Sequence, residues 1–183
     1  MEIQALEIGE LKLVKAKRLS DSRGFFSEVY QKAAFADAGL HSEFVQDNHS
    51  RSDRAGTIRG LHFQTPPYAQ DKLVRVTRGR ILDVAIDIRR GSPTFGRHVA
   101  VELSADNWLQ LFIPAGFAHG LCTLEPDTEV LYKVSAAYAP RHDAGILWND
   151  PDLRIDWPVD ARDALVSDKD SRLPRLKDAR VLF

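Results

Sequence analysis

The sequence predicts an all-β chain, a sandwich or barrel of short strands. Three observations lead there. Apolar residues recur with period two, turn residues interrupt them at short intervals, and helical periodicity is scarce. From the N-terminus, Asp21-Ser22-Arg23-Gly24 reads as a turn and Gln31 to Ala38 as two helical turns ending at Gly39, a residue free to take positive φ. Leu82, Val84, Ile86 and Ile88 then alternate with Asp83, Ala85 and Asp87, the pattern of a half-buried strand. Val99, Val101 and Leu103 repeat it, followed by Leu109, Leu111 and Ile113, and by Val130, Tyr132 and Val134. Between them fall Arg78-Gly79-Arg80, Gly91-Ser92-Pro93, Ser104-Ala105-Asp106-Asn107 and Pro114-Ala115-Gly116. The last forty or so residues lose the alternation and read as an irregular C-terminal segment with a short helix near Ala161.

One domain spanning residues 1–183 is expected, long enough to withdraw roughly 70% of the unfolded chain's surface from water. The 25 basic and 26 acidic residues nearly cancel, and no run of like charge points to a nucleic acid polymer. The single cysteine, Cys122, excludes an internal disulfide and a multi-cysteine zinc site. No basic segment followed by an apolar run opens the chain, and no apolar stretch approaches the ~20 residues of a membrane span. A reducing cytoplasm is the expected compartment.

Candidate chemistry centres on Thr57-Ile-Arg-Gly-Leu-His-Phe-Gln64. His62 is a candidate proton acceptor, because imidazole titrates near neutrality; its plainer role is a strand histidine satisfied by backbone. Arg59 is a cation suited to phosphate. Strict alternation sets Arg59 and His62 on opposite faces, and a bulge at Gly60 would reunite them. His119 follows the turn Pro114-Ala-Gly-Phe-Ala-His119 and is a second inward-aimed candidate. Metal-binding double-stranded β-helix proteins place a His-x-His pair where this chain has His62-Phe63-Gln64, and glutamine is a poor transition-metal ligand; no metal is expected. Lys72, in a pocket, is a charge able to stabilise an enolate oxygen; otherwise it is a solvated strand residue. Tyr132 shares parity with Val130 and Val134 and should point inward, as a structural tyrosine or as a proton donor. Arg23 in its turn and Arg59 together suit a diphosphate, and Phe25, Phe26 and Tyr138 offer faces for a base. Gln46-Asp47-Asn48-His49 lies in a neighbouring strand. Asp170, in Ser167-Asp168-Lys169-Asp170, would orient His62.

Taken in order, Asp21-Ser-Arg-Gly-Phe-Phe-Ser-Glu28, Phe44-Val-Gln-Asp-Asn-His-Ser50, Ile58-Arg-Gly-Leu-His62, Gln70-Asp-Lys-Leu-Val-Arg-Val76, Asp83-Val-Ala-Ile-Asp-Ile-Arg89, Gly91-Ser-Pro-Thr-Phe-Gly96, Ile113-Pro-Ala-Gly-Phe-Ala-His-Gly120, Leu131-Tyr-Lys133 and Ser167-Asp-Lys-Asp170 resemble the dTDP-4-dehydrorhamnose 3,5-epimerase family. The resemblance covers nearly the whole chain. It implies a cupin-type double-stranded β-helix (jelly roll) and inversion of dTDP-4-dehydro-6-deoxy-D-glucose at carbons 3 and 5 in dTDP-L-rhamnose biosynthesis, without cofactor or metal. It further implies His62 as base, Asp170 as its orienting group, Lys72 as enolate stabiliser and Tyr132 as acid. Ligand contacts are implied at Arg23, Glu28, Gln46, Asp47, Asn48, Arg59, His119, Tyr138, Asp143 and Lys169. A homodimer is implied whose N-terminal strands cross over, so that Arg23 and Phe25 complete the neighbouring site. The family commonly carries glutamate where this chain has Asp143, and the Ala136-Ala137-Tyr138-Ala139-Pro140 stretch is less aromatic than usual. The alternatives are a single-carbon epimerase of a dTDP-4-keto-6-deoxysugar, a metal-dependent cupin such as a dioxygenase, and a nucleotide-sugar-binding module without catalysis.

Overall fold

The period-two segments become strands in the computed structural model, which describes residues 1–179 and 183. Strands β1 (Glu2–Ala5) and β2 (Lys12–Lys15) form a hairpin, and β3 (Leu19–Asp21) and β4 (Gly24–Phe26) form a second, isolated one. Helix α1 (Lys32–Asp37) starts where the Gln31 side chain accepts the Ala34 N–H at 3.0 Å, and it ends before Gly39 at φ +79°, as the sequence predicts. The jelly roll continues with β5 (Gln46–Ser52), β6 (Ile58–Gln64), β7 (Lys72–Arg78), β8 (Arg80–Asp87) and β9 (His98–Ser104). It closes with β10 (Leu109–Ile113), β11 (Phe117–Thr123), β12 (Thr128–Val134) and β13 (Asp143–Gly145). Among the described residues no helix is long and apolar enough to cross a membrane.

Two antiparallel sheets face each other, ordered β1-β2-β10-β7-β12-β5 and β13-β6-β11-β8-β9. Val74, Val76, Leu111, Ile113 and Val130 of the first meet Ile81, Ala85, Leu103, Phe117 and Leu121 of the second in the main core. The second sheet is buried on its other face too. Leu61, Phe63, Val84, Ile86 and Ala118 pack there against Ile146, Leu153 and Leu176 from the C-terminal segment. This corrects the half-buried reading of the strand around Leu82–Ile88. Residues 81, 83, 85 and 87 face the sandwich interior, while Val84 and Ile86 face the C-terminal covering, so both parities are buried. The helix expected near Ala161 is a single turn closed by Ala164 N–H to the Asp160 carbonyl at 3.0 Å. Short 3₁₀ turns occur instead at Asp170–Arg172 and Leu176–Asp178.

The bulge expected at Gly60 is present. His62 stands opposite His119 and Arg59 opposite Leu121, so β6 holds one residue more than β11 over the same span. Gly60 sits at φ +120°, and a Cβ there would lie 2.7 Å from both the Gly120 Cα and the His119 carbonyl oxygen. Only glycine fits this conformation and this close approach.

Candidate active site

A cavity of about 600 Å³ opens between the sheets, and Arg59 and His62 both line it, the parity conflict having been absorbed by the bulge. The His62 Nε2 lies 2.7 Å from the Asp170 carboxylate. The other Asp170 oxygen accepts the Gly60 N–H at 3.0 Å, and the Asp170 N–H donates to Ser167 Oγ at 3.1 Å. Asp170 is buried at the head of its 3₁₀ turn. Burial pushes its carboxyl upward, but the bonds from His62, Gly60 and Ser167 outweigh it and hold the acid below its ordinary value. An ionised Asp170 accepting from Nε2 leaves the lone pair of His62 on Nδ1.

The facing sheet supplies Lys72, first residue of β7, and Tyr132, from the middle of β12. Lys72 is only 7% exposed, and its Nζ donates to the His62 carbonyl at 3.3 Å. Desolvation pulls its ammonium down to about 8, with the charges of Asp83 and Asp143 opposing the fall. Tyr132 points into the cavity, as its parity with Val130 and Val134 requires. Burial raises its hydroxyl above the ordinary value; Arg59 works against that rise and Asp143 adds to it. A phenol so placed keeps its proton at neutral pH and can give it up to a stronger base.

His119 lines the same cavity beside His62 and bonds the buried Asp83 through Nε2 at 2.7 Å. Strand β5 turns Gln46 and Asn48 inward, linked by a 2.8 Å bond from Gln46 Nε2 to Asn48 Oδ1. Toward the mouth, Asp143 accepts the Tyr138 hydroxyl at 3.1 Å and pairs with Lys169. The bond to Asp143 is the main reason both the Tyr138 hydroxyl and the Lys169 ammonium hold their protons more tightly than usual. Among the described residues no group of three or more His, Cys, Asp or Glu side chains is set to hold a metal ion.

Four expected contacts are not brought together with these. Asp47 stands on the outer face of β5, exposed and paired with Lys133 at 2.8 Å, because strict alternation from Gln46 and Asn48 turns it away. Arg23 is exposed and bonded within its own turn to Asp21. Phe25 packs edge-on against Trp108 at 4.9 Å under the Arg18 guanidinium, and Glu28 is exposed; none of the three lines the cavity of its own chain. Sequence reasoning passed over Ser50, Gln70, Ser167 and Asp83. None of the four has a signal in local periodicity: Asp83 shares its parity with Ala85 and Asp87, which reads as a wet face, and only the fold buries it against His119.

The comparisons agree with this geometry. A family model described as dTDP-4-dehydrorhamnose 3,5-epimerase matches residues 5–178. A protein of that name from Sinorhizobium fredii is 50% identical over 187 residues, covering 100% of this chain and 93% of the relative. The crystal structure of the Bacillus anthracis dTDP-4-dehydrorhamnose 3,5-epimerase, with TDP and PPi bound, is 49% identical at a TM-score of 0.92, over 95% of this chain and 98% of that one. A Legionella pneumophila dTDP-6-deoxy-D-glucose-3,5-epimerase in complex with dTDP-4-keto-L-rhamnose is 43% identical, also at a TM-score of 0.92, over 96% and 93%. With a jelly roll that matches theirs along nearly its whole length and a cavity lined by the motif residues, the chain belongs to the dTDP-4-dehydrorhamnose 3,5-epimerase family.

Proposed function

We propose that the chain is an isomerase that inverts carbons 3 and 5 of dTDP-4-dehydro-6-deoxy-D-glucose, giving dTDP-4-dehydro-β-L-rhamnose for dTDP-L-rhamnose synthesis. The observation that carries the reading is that His62, with Asp170 behind it, and Tyr132 project from facing sheets into one cavity that Lys72 also lines. Both target carbons flank a ketone, so their protons are acidic and removal leaves an enolate. Inversion requires a base on one face of the sugar and an acid on the other, and two facing sheets supply them. His62 takes the proton, Lys72 holds the enolate oxygen as an ammonium, and Tyr132 returns a proton from the opposite side. Each carbon loses one proton and regains one, so the conversion is redox-neutral and uses no cofactor. Gln46, Asn48, Arg59, His119, Asp143 and Lys169 position the nucleotide sugar, with Tyr138 toward its base end. The relatives at 43–50% identity bear the name of the double epimerase, which favours two inversions over one.

The working unit in this reading is a cytoplasmic homodimer of a single-domain chain. The β3–β4 hairpin supports it: Leu19, Phe25 and Phe26 are exposed there, and an isolated two-stranded hairpin is marginal without a partner surface. Crossing to a second copy covers these side chains and brings Arg23, Phe25 and Glu28 to a cavity.

The test is incubation with dTDP-4-dehydro-6-deoxy-D-glucose in deuterated water, read by NMR for label and configuration together. Deuterium at carbons 3 and 5 with the L-lyxo product is expected. Label and inversion at one carbon would select a single-carbon epimerase, and no exchange at either carbon would overturn the reading.

A further inference from the structure

Gln64, the residue that breaks the His-x-His pattern, has a role of its own. It ends β6 and is 4% exposed. Its Nε2 donates to the Tyr68 carbonyl at 2.8 Å and the Ala137 carbonyl at 3.2 Å, while its Oε1 accepts the Ala139 N–H at 2.7 Å. Both amide donors are used, and the carbonyl faces a donor, so a flipped amide would confront like with like at all three positions. Ala137 and Ala139 flank Tyr138. The Tyr138 N–H donates to Gln46 Oε1 at 3.0 Å, and the Ala136 carbonyl accepts from Gln70 Nε2 at 2.7 Å. Three glutamines therefore fix four consecutive backbone positions, under a side chain that is 56% exposed and held at its tip by Asp143. Asp143 is itself the cross-strand neighbour of Gln64.

We infer that Gln64 is a positioning residue: it fixes the backbone on either side of Tyr138 so that the ring stands ready at the cavity mouth for the flat base of the nucleotide sugar. The inference rests on the epimerase reading for the identity of the ligand. Gln64 lines the cavity, but both its amide donors and its carbonyl are turned to the backbone of Tyr68, Ala137 and Ala139, so its effect is expected to fall on binding. A loop held in its bound form loses less freedom when the ligand arrives.

The test is a double-mutant cycle on the full chain. Gln64→Glu keeps the acceptor for Ala139 and removes both donors, and Tyr138→Ala removes the ring. Where the buried carboxylate prevents folding, as read by circular dichroism, Gln64→Met is neutral, similar in length and lacks all three bonds. Gln64→Glu is expected to raise KM, and the Kd for dTDP alone by calorimetry, roughly ten- to a hundredfold. The kcat stays within about twofold, because the groups at the carbons are untouched. In the Tyr138→Ala background the same substitution is expected to add almost nothing, since its effect acts through the ring. Full additivity in the double variant, or a fall in kcat at unchanged KM and Kd, overturns the inference while leaving the epimerase reading intact. A wild type that neither binds dTDP nor turns over the sugar removes both.

Discussion

In the proposed mechanism, Lys72 shows what the reaction would ask of a single residue. Its ammonium is buried among strands, with a neutral carbonyl as its hydrogen-bond partner, and desolvation lowers it from 10.5 to about 8. Between those values the unfolded chain holds a proton that the folded chain does not. Stability therefore rises with pH across that window, and the penalty is complete below about 8. Lys72→Met removes the penalty. At pH 7 the variant is expected to resist urea by about 3 kcal/mol more than wild type, a gap that closes by pH 10.5, while turnover is lost. A variant no more stable than wild type at pH 7 would mean that the charge is solvated. In the intact enzyme kcat/KM should fall above about pH 8 as the ammonium is lost, and a profile flat through that region would move enolate stabilisation to another group. Tyr132 titrates on the other side of its ordinary value, raised by burial, so its loss of a proton belongs to a higher pH. Tyr132→Phe deletes only the hydroxyl. Deuterium exchange through His62 is expected to persist without inversion, and normal inversion in that variant would require a different acid.

At the scale of the element, the bulge in β6 decides whether the site exists. Arg59 and His62 share a cavity because Gly60 inserts one residue, and the inserted backbone approaches β11 too closely for a side chain. Gly60→Ala is expected to lower unfolding free energy by roughly 2–4 kcal/mol in a urea titration, and to depress kcat/KM more steeply than the folded fraction accounts for. Activity that simply follows the folded fraction would mean the strand tolerates a shift of register at no chemical penalty. The bulge is legible in the amino-acid sequence, because a glycine between two chemically matched residues of opposite parity calls for an irregularity. The inward aim of Tyr132 and the helix from Gln31 to Gly39 are legible for the same reason, since local periodicity and capping determine them. Burial of β8 on both faces is not: alternation of Val84 and Ile86 with Asp83 and Asp87 reads as one wet face, and only the fold lays the C-terminal segment over it. The His62–Asp170 and His119–Asp83 contacts are long-range pairings, and the motif order, not periodicity, points to the first of them. Asp47 enters the expected site with its strand neighbours and through the resemblance, and the parity of β5 turns it out.

Across the whole molecule, three of the expected ligand contacts sit on or beside the β3–β4 hairpin and do not line the cavity of their own chain. A crossed homodimer, as proposed above, makes a sharp forecast. Arg23→Ala and His62→Ala are each expected to cripple the enzyme, yet unfolding and refolding them together should restore activity, because a mixed dimer contains one site with both groups. An arrangement within one chain restores nothing on mixing, and size-exclusion chromatography with light scattering of each variant tests whether dimers are present. The covering of the second sheet has a different consequence. The carboxylate that orients His62 lies 108 residues further along the chain, on the segment that seals the outer face of that sheet. During synthesis, the histidine leaves the ribosome long before its partner has been made. In the proposed mechanism the histidine has no orienting partner until the tail docks, so catalysis waits on that contact. Loss of the chain from Asp170 onward is therefore expected to remove both the partner of His62 and the Leu176 contact on the second sheet.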